Sequence, residues 1–468
     1  LPIFVSFGPD GGGSATAVAS GALPPYLPAV PMKLFPFAPL LALLAGPAFA
    51  QHEGHGMPAD TQAVHPGEPA AEEGMPMGEL PPEAMTGALG PYSTTREASG
   101  TAWQPETTPH AGAHVTAGRW SLMGHATLFG VYDWQGGPRG GEKGFVAGMV
   151  MGMAKRRLGP GTVQLRAGLS PDPLMGRRGF PLLLASGETA NGRDPLVDRQ
   201  HPHDLFTELS ASFSLPLSDR ASLFAYAGLP GEPAFGPPPF MHRLSAMESP
   251  EAPISHHWLD STHISFGVVT AGLIAGDVKL EASRFNGREP DQRRFGIETG
   301  PLDSTAARIS WNPARTVSLQ ASWARLIDPE QLEPGENQTR WSASALYTQP
   351  LGRRSRWSTT LAWGRRSSGA GSLDAFLVES AVARGSWTLF ARAERTENDE
   401  LAAGGGHHGP AYRVGKLSLG ALHEFRAAPH VRLGLGGLWA FNFVPAGLEP
   451  SYAGGRSGAM AFLRVAID

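Results

Sequence analysis

Between Arg119 and Asp468 apolar and polar residues alternate in about sixteen short segments, joined by connections that are long and short by turns. From Thr316 to Leu326, Val317, Leu319, Ala321 and Trp323 fall on one face and Ser318, Gln320, Ser322 and Ala324 on the other, which is the two-residue period of a strand. Val163, Leu165, Ala167 and Leu169 oppose Gln164, Arg166, Gly168 and Ser170 in the same way. So do Leu209, Ala211, Phe213 and Leu215 against Glu208, Ser210, Ser212 and Ser214. The last segment sets Ala459, Ala461, Leu463, Val465 and Ile467 against Gly458, Met460, Phe462, Arg464 and Ala466. An apolar face repeated on strand after strand predicts an all-β chain, a transmembrane antiparallel β-barrel of about sixteen strands, with twelve to fourteen as alternatives. Hydrocarbon leaves an open sheet edge unsatisfied, so such strands must close on themselves. A secreted sandwich or propeller is the rival architecture, but soluble β proteins rarely keep one face apolar throughout.

The predicted strands begin near Trp120 and Phe145 and continue to Val431 and Gly458. Seven tight connections, at 159–161, 217–220, 276–277, 312–315, 352–355, 385 and 427–429, are rich in the Gly, Pro, Asn and Asp that hairpins use. Eight longer loops lie between them, the largest at 171–204 and 230–262. An even strand count puts both ends of the barrel on the periplasmic side. Trp134, Trp311, Trp323, Tyr347, Trp363 and Trp439 sit near strand ends, where an interfacial aromatic girdle is expected.

Upstream, Met32 to Ala50 carries one lysine, an apolar core and a small-x-small ending, the form of a secretory signal peptide. Residues 1–31 read as a non-native or misannotated extension. From Gln51 to Gly118 the chain is rich in Pro, Gly, Glu and Ala without apolar periodicity, which predicts a disordered periplasmic leader. Residues 119–468 form the barrel.

The absence of cysteine removes disulfides, thiolate metal sites and cysteine nucleophiles. A net charge of −4 argues against a nucleic-acid partner. The 41% hydrophobic content suits a barrel, in which only one strand face meets lipid.

Histidine carries the chemical signal. Asp198, His201, His203 and Asp204 lie in DRQHPHD at the end of one long loop, and His256, His257, Asp260 and His263 lie in HHWLDSTH at the end of the next. His242 lies in that second loop, and His407 and His408 in a later one. Imidazole with carboxylate suits zinc, copper or nickel, and two loops meeting over a pore can supply three or four ligands. The alternative is a set of polar loop residues bonded to each other, since neither spacing is a dedicated metal motif. In the leader, His52, Glu53, His55 and Met57, with Met75 and Met77 further on, offer imidazole and thioether ligands suited to copper. Ser255, Ser261, His263 and Asp260 raise a hydrolase, but no G-x-S-x-G elbow is present. On the predicted lumen face Arg166, Lys279, Arg308 and Arg392 stand against Glu208, Glu281 and Glu394, which fixes no ion preference.

Several strings, DRQHPHDLF, GEPAFGPPPFMHR, EAPISHHWLDSTHISFG, FNGREPD and IETGPLDS, resemble a family of porin-like bacterial outer-membrane barrels without an assigned activity. The likeness covers about Gly118 to the C-terminus and implies a porin-like fold. The leader resembles that of the copper-resistance outer-membrane protein B family, without its dense Met/His repeats. Together these readings give a non-enzymatic outer-membrane channel for small solutes, specialised in binding, resisting or exporting a transition metal, copper being favoured, with copper or zinc as the bound ion. His201, His203, Asp204, His256, His257, Asp260 and His263 would form the mouth, and His52, His55 and Met57 would collect metal in the periplasm. Lipid bilayer, small solutes or metal ions are the partners, with a homotrimer by analogy with porins. A structural or adhesive barrel with a loop-plugged pore is the alternative, and an outer-membrane lipid hydrolase a third.

Overall fold

The computed structural model describes residues 85–109, 112–402 and 408–467. Among them β1 (Ala113–Ala117), β2 (Trp120–Gln135), β3 (Gly141–Leu158) and β4 (Gly161–Leu169) come first. A separate hairpin follows, β5 (Phe180–Thr189) and β6 (Pro195–Gln200). Then come β7 (Phe206–Ser218), β8 (Ala221–Gly228), β9 (Val268–Ala275) and β10 (Val278–Phe285). They are followed by β11 (Ser304–Ala314), β12 (Val317–Leu326), β13 (Gln338–Gly352), β14 (Ser355–Ser368) and β15 (Gly371–Arg384). The last four are β16 (Trp387–Asn398), β17 (Tyr412–Ala428), β18 (Val431–Phe443) and β19 (Ser457–Ile467).

Leaving out β1, β5 and β6, each strand pairs antiparallel with the next, and β19 returns to β2 through pairs such as Ala459↔Trp134 and Leu463↔Gly130. The result is a closed barrel of 16 strands. Closure leaves no long unpaired edge. The expected alternation is observed. On β4, Leu165 and Leu169 are exposed outward while Gln164 and Arg166 are buried inside. On β7, Phe213 and Leu215 face out against buried Ser212 and Ser214. An outer belt of exposed Val, Leu, Phe and Trp surrounds a polar interior, the inverse of a water-soluble barrel. Trp134 and Trp439 meet on this belt with centroids 6.1 Å apart.

The interior is filled rather than open. From the long-loop end the β5–β6 hairpin inserts Leu182, Leu183 and Leu184, which pack with Phe240 of the following loop against Phe129, Met460 and Phe462. The lumen face of β2, β18 and β19 is apolar there because it receives a loop instead of water. Elsewhere the lumen holds buried ion pairs. Arg308 and Lys279 share Glu281 at 2.9 and 3.0 Å, and Arg243 and Arg392 share Glu379 at 2.8 and 3.0 Å.

The leader departs from expectation. Its first part, including His52, His55 and Met57, lies outside the described residues, but residues 85–109 are folded inside the short-turn end of the barrel instead of disordered. Leu89, Tyr92 and Trp103 pack on Phe224 and Ile274. Arg96 lies against the Tyr92 and Trp103 rings, 5.5 and 5.0 Å from their centroids, and pairs with Glu106 at 2.8 Å and Asp277 at 3.2 Å. Ser214 and Ser222 donate to the Ala88 and Leu89 carbonyls. A segment too polar to build its own core is ordered here by a surface that the barrel supplies, so composition alone misreads it. Residues 113–117 then pair with Trp120–Gly124 of β2, on the edge that β19 leaves free beyond Ile467.

Candidate metal centre

Two inward loops build the site. In the first, Pro171 opens a 3-10 turn, Asp172–Met175, and the chain returns through the β5–β6 hairpin to His201, Pro202 and His203. In the second, a short helix, His256–Leu259, is followed by a 3-10 turn, Ser261–His263, so three histidines fall within eight residues. Gly236 lets this loop fold on itself: its φ is +75°, and a Cβ there would lie 2.1 Å from the Leu259 carbonyl oxygen.

The two histidine strings predicted to meet do meet. His203 and His263 have ring centroids 5.1 Å apart, His256 and His263 5.1 Å, and His203 and His256 6.5 Å. One ligand nitrogen from each of these three rings lies within 4.8 Å of the other two. They sit buried within the lumen, not at an open mouth as the loop positions suggested. Loops that carry Leu182, Leu183, Leu184 and Phe240 turn inward to bury them.

The Nδ1 atoms are all engaged. His203 Nδ1 bonds Asp172 Oδ2 at 2.8 Å, His256 Nδ1 bonds Asp260 Oδ1 at 2.6 Å, and His263 Nδ1 donates to the Asp260 carbonyl at 2.7 Å. That pattern places the neutral-ring lone pair on Nε2. Nε2 of His203 and of His263 is buried without a hydrogen-bond partner. Burial, followed by the neighbouring His203 and His256, holds His263 well below the usual imidazole value. Burial also lowers His256, only partly offset by Asp260. For His203 burial works the same way, but the bond and charge of Asp172 outweigh it and raise the group. Asp260 is buried, yet His256 and Arg243, whose Nη1 donates to Asp260 Oδ2 at 2.6 Å, hold its carboxyl well below the usual range. Clustered imidazoles held by carboxylate or carbonyl through Nδ1, with Nε2 left for an ion, are the donor set of zinc and copper sites.

The other predicted residues have different partners. His201 lies beside the group, 6.2 Å from the His256 ring centroid, but faces Glu188 at 3.2 Å, and burial pushes it well down. His257 reaches Glu289 at 3.5 Å. Asp204 pairs with Arg294 at 3.2 Å, and Arg294 also holds Glu188. Burial lifts Glu188 to about 7 and Asp204 to about 6 against that arginine. Asp260 therefore orients a histidine, and Asp204 belongs to an ion pair. Asp198 bonds the Leu184 N–H, Tyr452 and Arg139. His408 has both nitrogens engaged, by Asp399 at 2.7 Å and Glu333 at 2.9 Å.

Asp172 and Arg243 escaped sequence reasoning because each lies far along the chain from the ring or carboxylate it serves. Met149, Met151 and Met153 escaped too, although their two-residue spacing on β3 announces one shared face.

No family model matches the chain, and no curated protein does either. Among solved structures it is similar to Salmonella typhi OmpF in complex with daunomycin, at 9% identity and a TM-score of 0.48, covering 76% of this chain and 100% of that one. It is also similar to the outer membrane channel DcaP of Acinetobacter baumannii, at 9% identity and a TM-score of 0.40, covering 76% and 100%. A porin refined at 1.8 Å resolution matches at 10% identity and a TM-score of 0.40, covering 74% and 100%.

Proposed function

We propose that this chain is a porin-type outer-membrane barrel whose loop-filled lumen binds a divalent transition metal, zinc or copper, through His203, His256 and His263. The observation that carries the reading is the convergence of three rings with every Nδ1 anchored and two Nε2 atoms buried without a partner. A buried polar atom left unsatisfied costs about 1–3 kcal/mol, so a cluster of them calls for an occupant. The apolar outer belt and the closed strand ring support the membrane placement. The long-loop end then faces outward and the short-turn end the periplasm.

Titrating Zn(II), Cu(II) and Co(II) into the detergent-solubilised protein tests this. One tight equivalent is expected, lost in the H203A/H256A/H263A variant and kept in H257A, whose ring is turned to Glu289. Equal binding in wild type and triple variant overturns the reading. Copper collection by His52, His55 and Met57 is a separate proposal, tested by H52A/H55A/M57L.

A second reading, a structural barrel with a closed pore, is favoured by the inserted hairpin and by the leader segment across the other end. Planar-bilayer recording separates the two: steady silence with and without metal supports the scaffold, and current that responds to Zn(II) or Cu(II) supports metal handling.

A further inference from the structure

We infer a second metal site, for a soft monovalent ion such as Cu(I) or Ag(I), in a thioether-lined chamber of the lumen beside the histidine cluster. The chamber is a cavity of about 270 Å³ between the folded leader and the second inward loop, walled by β2, β3 and β4. Met149, Met151 and Met153 occupy successive inward positions of β3, with Val150 facing outward between the first two. In the antiparallel register Met123 of β2 is opposite Met153, and His125 is opposite Met151. Directly opposed positions hold their Cβ atoms about 5 Å apart. Met241 and Met247 reach the same cavity from the loop.

Thus six of the chain's 13 methionines border one void. Methionine is a common filler of irregular cores, but a filler leaves no room, whereas these side chains surround space. His125 adds a second pointer, because its Nδ1 is buried without a hydrogen-bond partner. The charged groups of the wall, Lys155 on the Thr86 carbonyl and Arg432 on Glu424 among them, have partners of their own. Glu248 takes Arg356 at 3.3 Å and Arg464 at 3.2 Å, and Arg166 bonds Gln164 and the Gly100 carbonyl. Glu97 accepts the Ala88 N–H and the Tyr92 hydroxyl. Neutral sulfur and imidazole remain as donors, and soft thioethers select Cu(I) over hard divalent ions. A smaller void bordered by Met149, Met151, Met241 and His242 also touches His263, so the chamber shares a wall with the three-histidine cluster.

The test is titration of the full-length, detergent-solubilised protein with Ag(I), and with Cu(I) against a chromophoric chelator. Conservative M149L/M151L/M153L should weaken one equivalent at least 100-fold, while Co(II) binding at the histidines stays unchanged. X-ray absorption of the one-equivalent Cu(I) form should report sulfur neighbours that the variant loses. Leader methionines are controlled by M57L/M75L/M77L, which should leave the chamber equivalent intact. Unchanged Ag(I) and Cu(I) binding in the folded M149L/M151L/M153L protein overturns the proposal. Because the readout is Ag(I), its failure is distinct from failure of the three-histidine site, which is read with Co(II).

Discussion

His256 and Asp260 stand one helical turn apart with Nδ1 and Oδ1 at 2.6 Å, and the other carboxylate oxygen is occupied by Arg243, also at 2.6 Å. The carboxylate thereby fixes both the tautomer of a ring and the position of a buried cation. Replacing Asp260 by Asn keeps the volume but removes the charge. Zn(II) or Co(II) affinity is expected to fall about 10–100-fold, as for other partners of ligating histidines. Calorimetry on D260N checks it, and an unchanged affinity would separate the carboxylate from the metal.

Acid should weaken the same binding. His203 is held above the ordinary imidazole value because the Asp172 bond outweighs burial, so below that raised value a metal must displace its proton. His256 and His263 are held below it, so His203 is the first of the three to take up a proton as pH falls. Affinity should therefore drop about tenfold per pH unit for the one proton displaced, starting above pH 6.5 and moving downward. D172N should shift the onset to lower pH. A flat profile from pH 8 to 5 would exclude His203 as a ligand.

Arg243 ties the second loop to the wall through Glu379 and to the site through Asp260, all three fully buried. R243A takes the arginine from Asp260 and leaves Glu379 with Arg392 alone, and loss of a partner from a buried ion pair costs about 3–5 kcal/mol. The expected result is a loosened loop in an intact barrel: faster amide exchange across 236–263 and a larger single-channel current. Wild-type exchange in that segment would contradict it.

Trp103 anchors the leader segment, packed against Tyr92 and under Arg96. Truncating a buried Trp to Ala costs about 3–5 kcal/mol. W103A should expose residues 85–109 to protease added from the short-turn side while leaving the barrel resistant. Equal cleavage of wild type and variant would argue against a docked leader.

The strands were legible because each repeats the same local decision, apolar out and polar in, and the decision does not depend on distant residues. Val317, Leu319 and Trp323 face out, and Ser318 and Ser322 are buried, as their period requires. The contents of the lumen depend on distant partners and were not legible. Nothing near Arg96 in sequence foretells Asp277, and nothing near His203 foretells Asp172. The meeting of DRQHPHD with HHWLDSTH was legible in part, as two donor-rich strings at the ends of neighbouring loops. Which rings converge and which turn to Glu188 or Glu289 was decided by packing.

The short strand Ala113–Ala117 completes the edge of β2 that β19 does not reach. The inner cork is therefore stitched into the seam where first and last strands join. A leader segment drawn from its seat would stay leashed at that seam, as a hinged door does and a loose stopper does not.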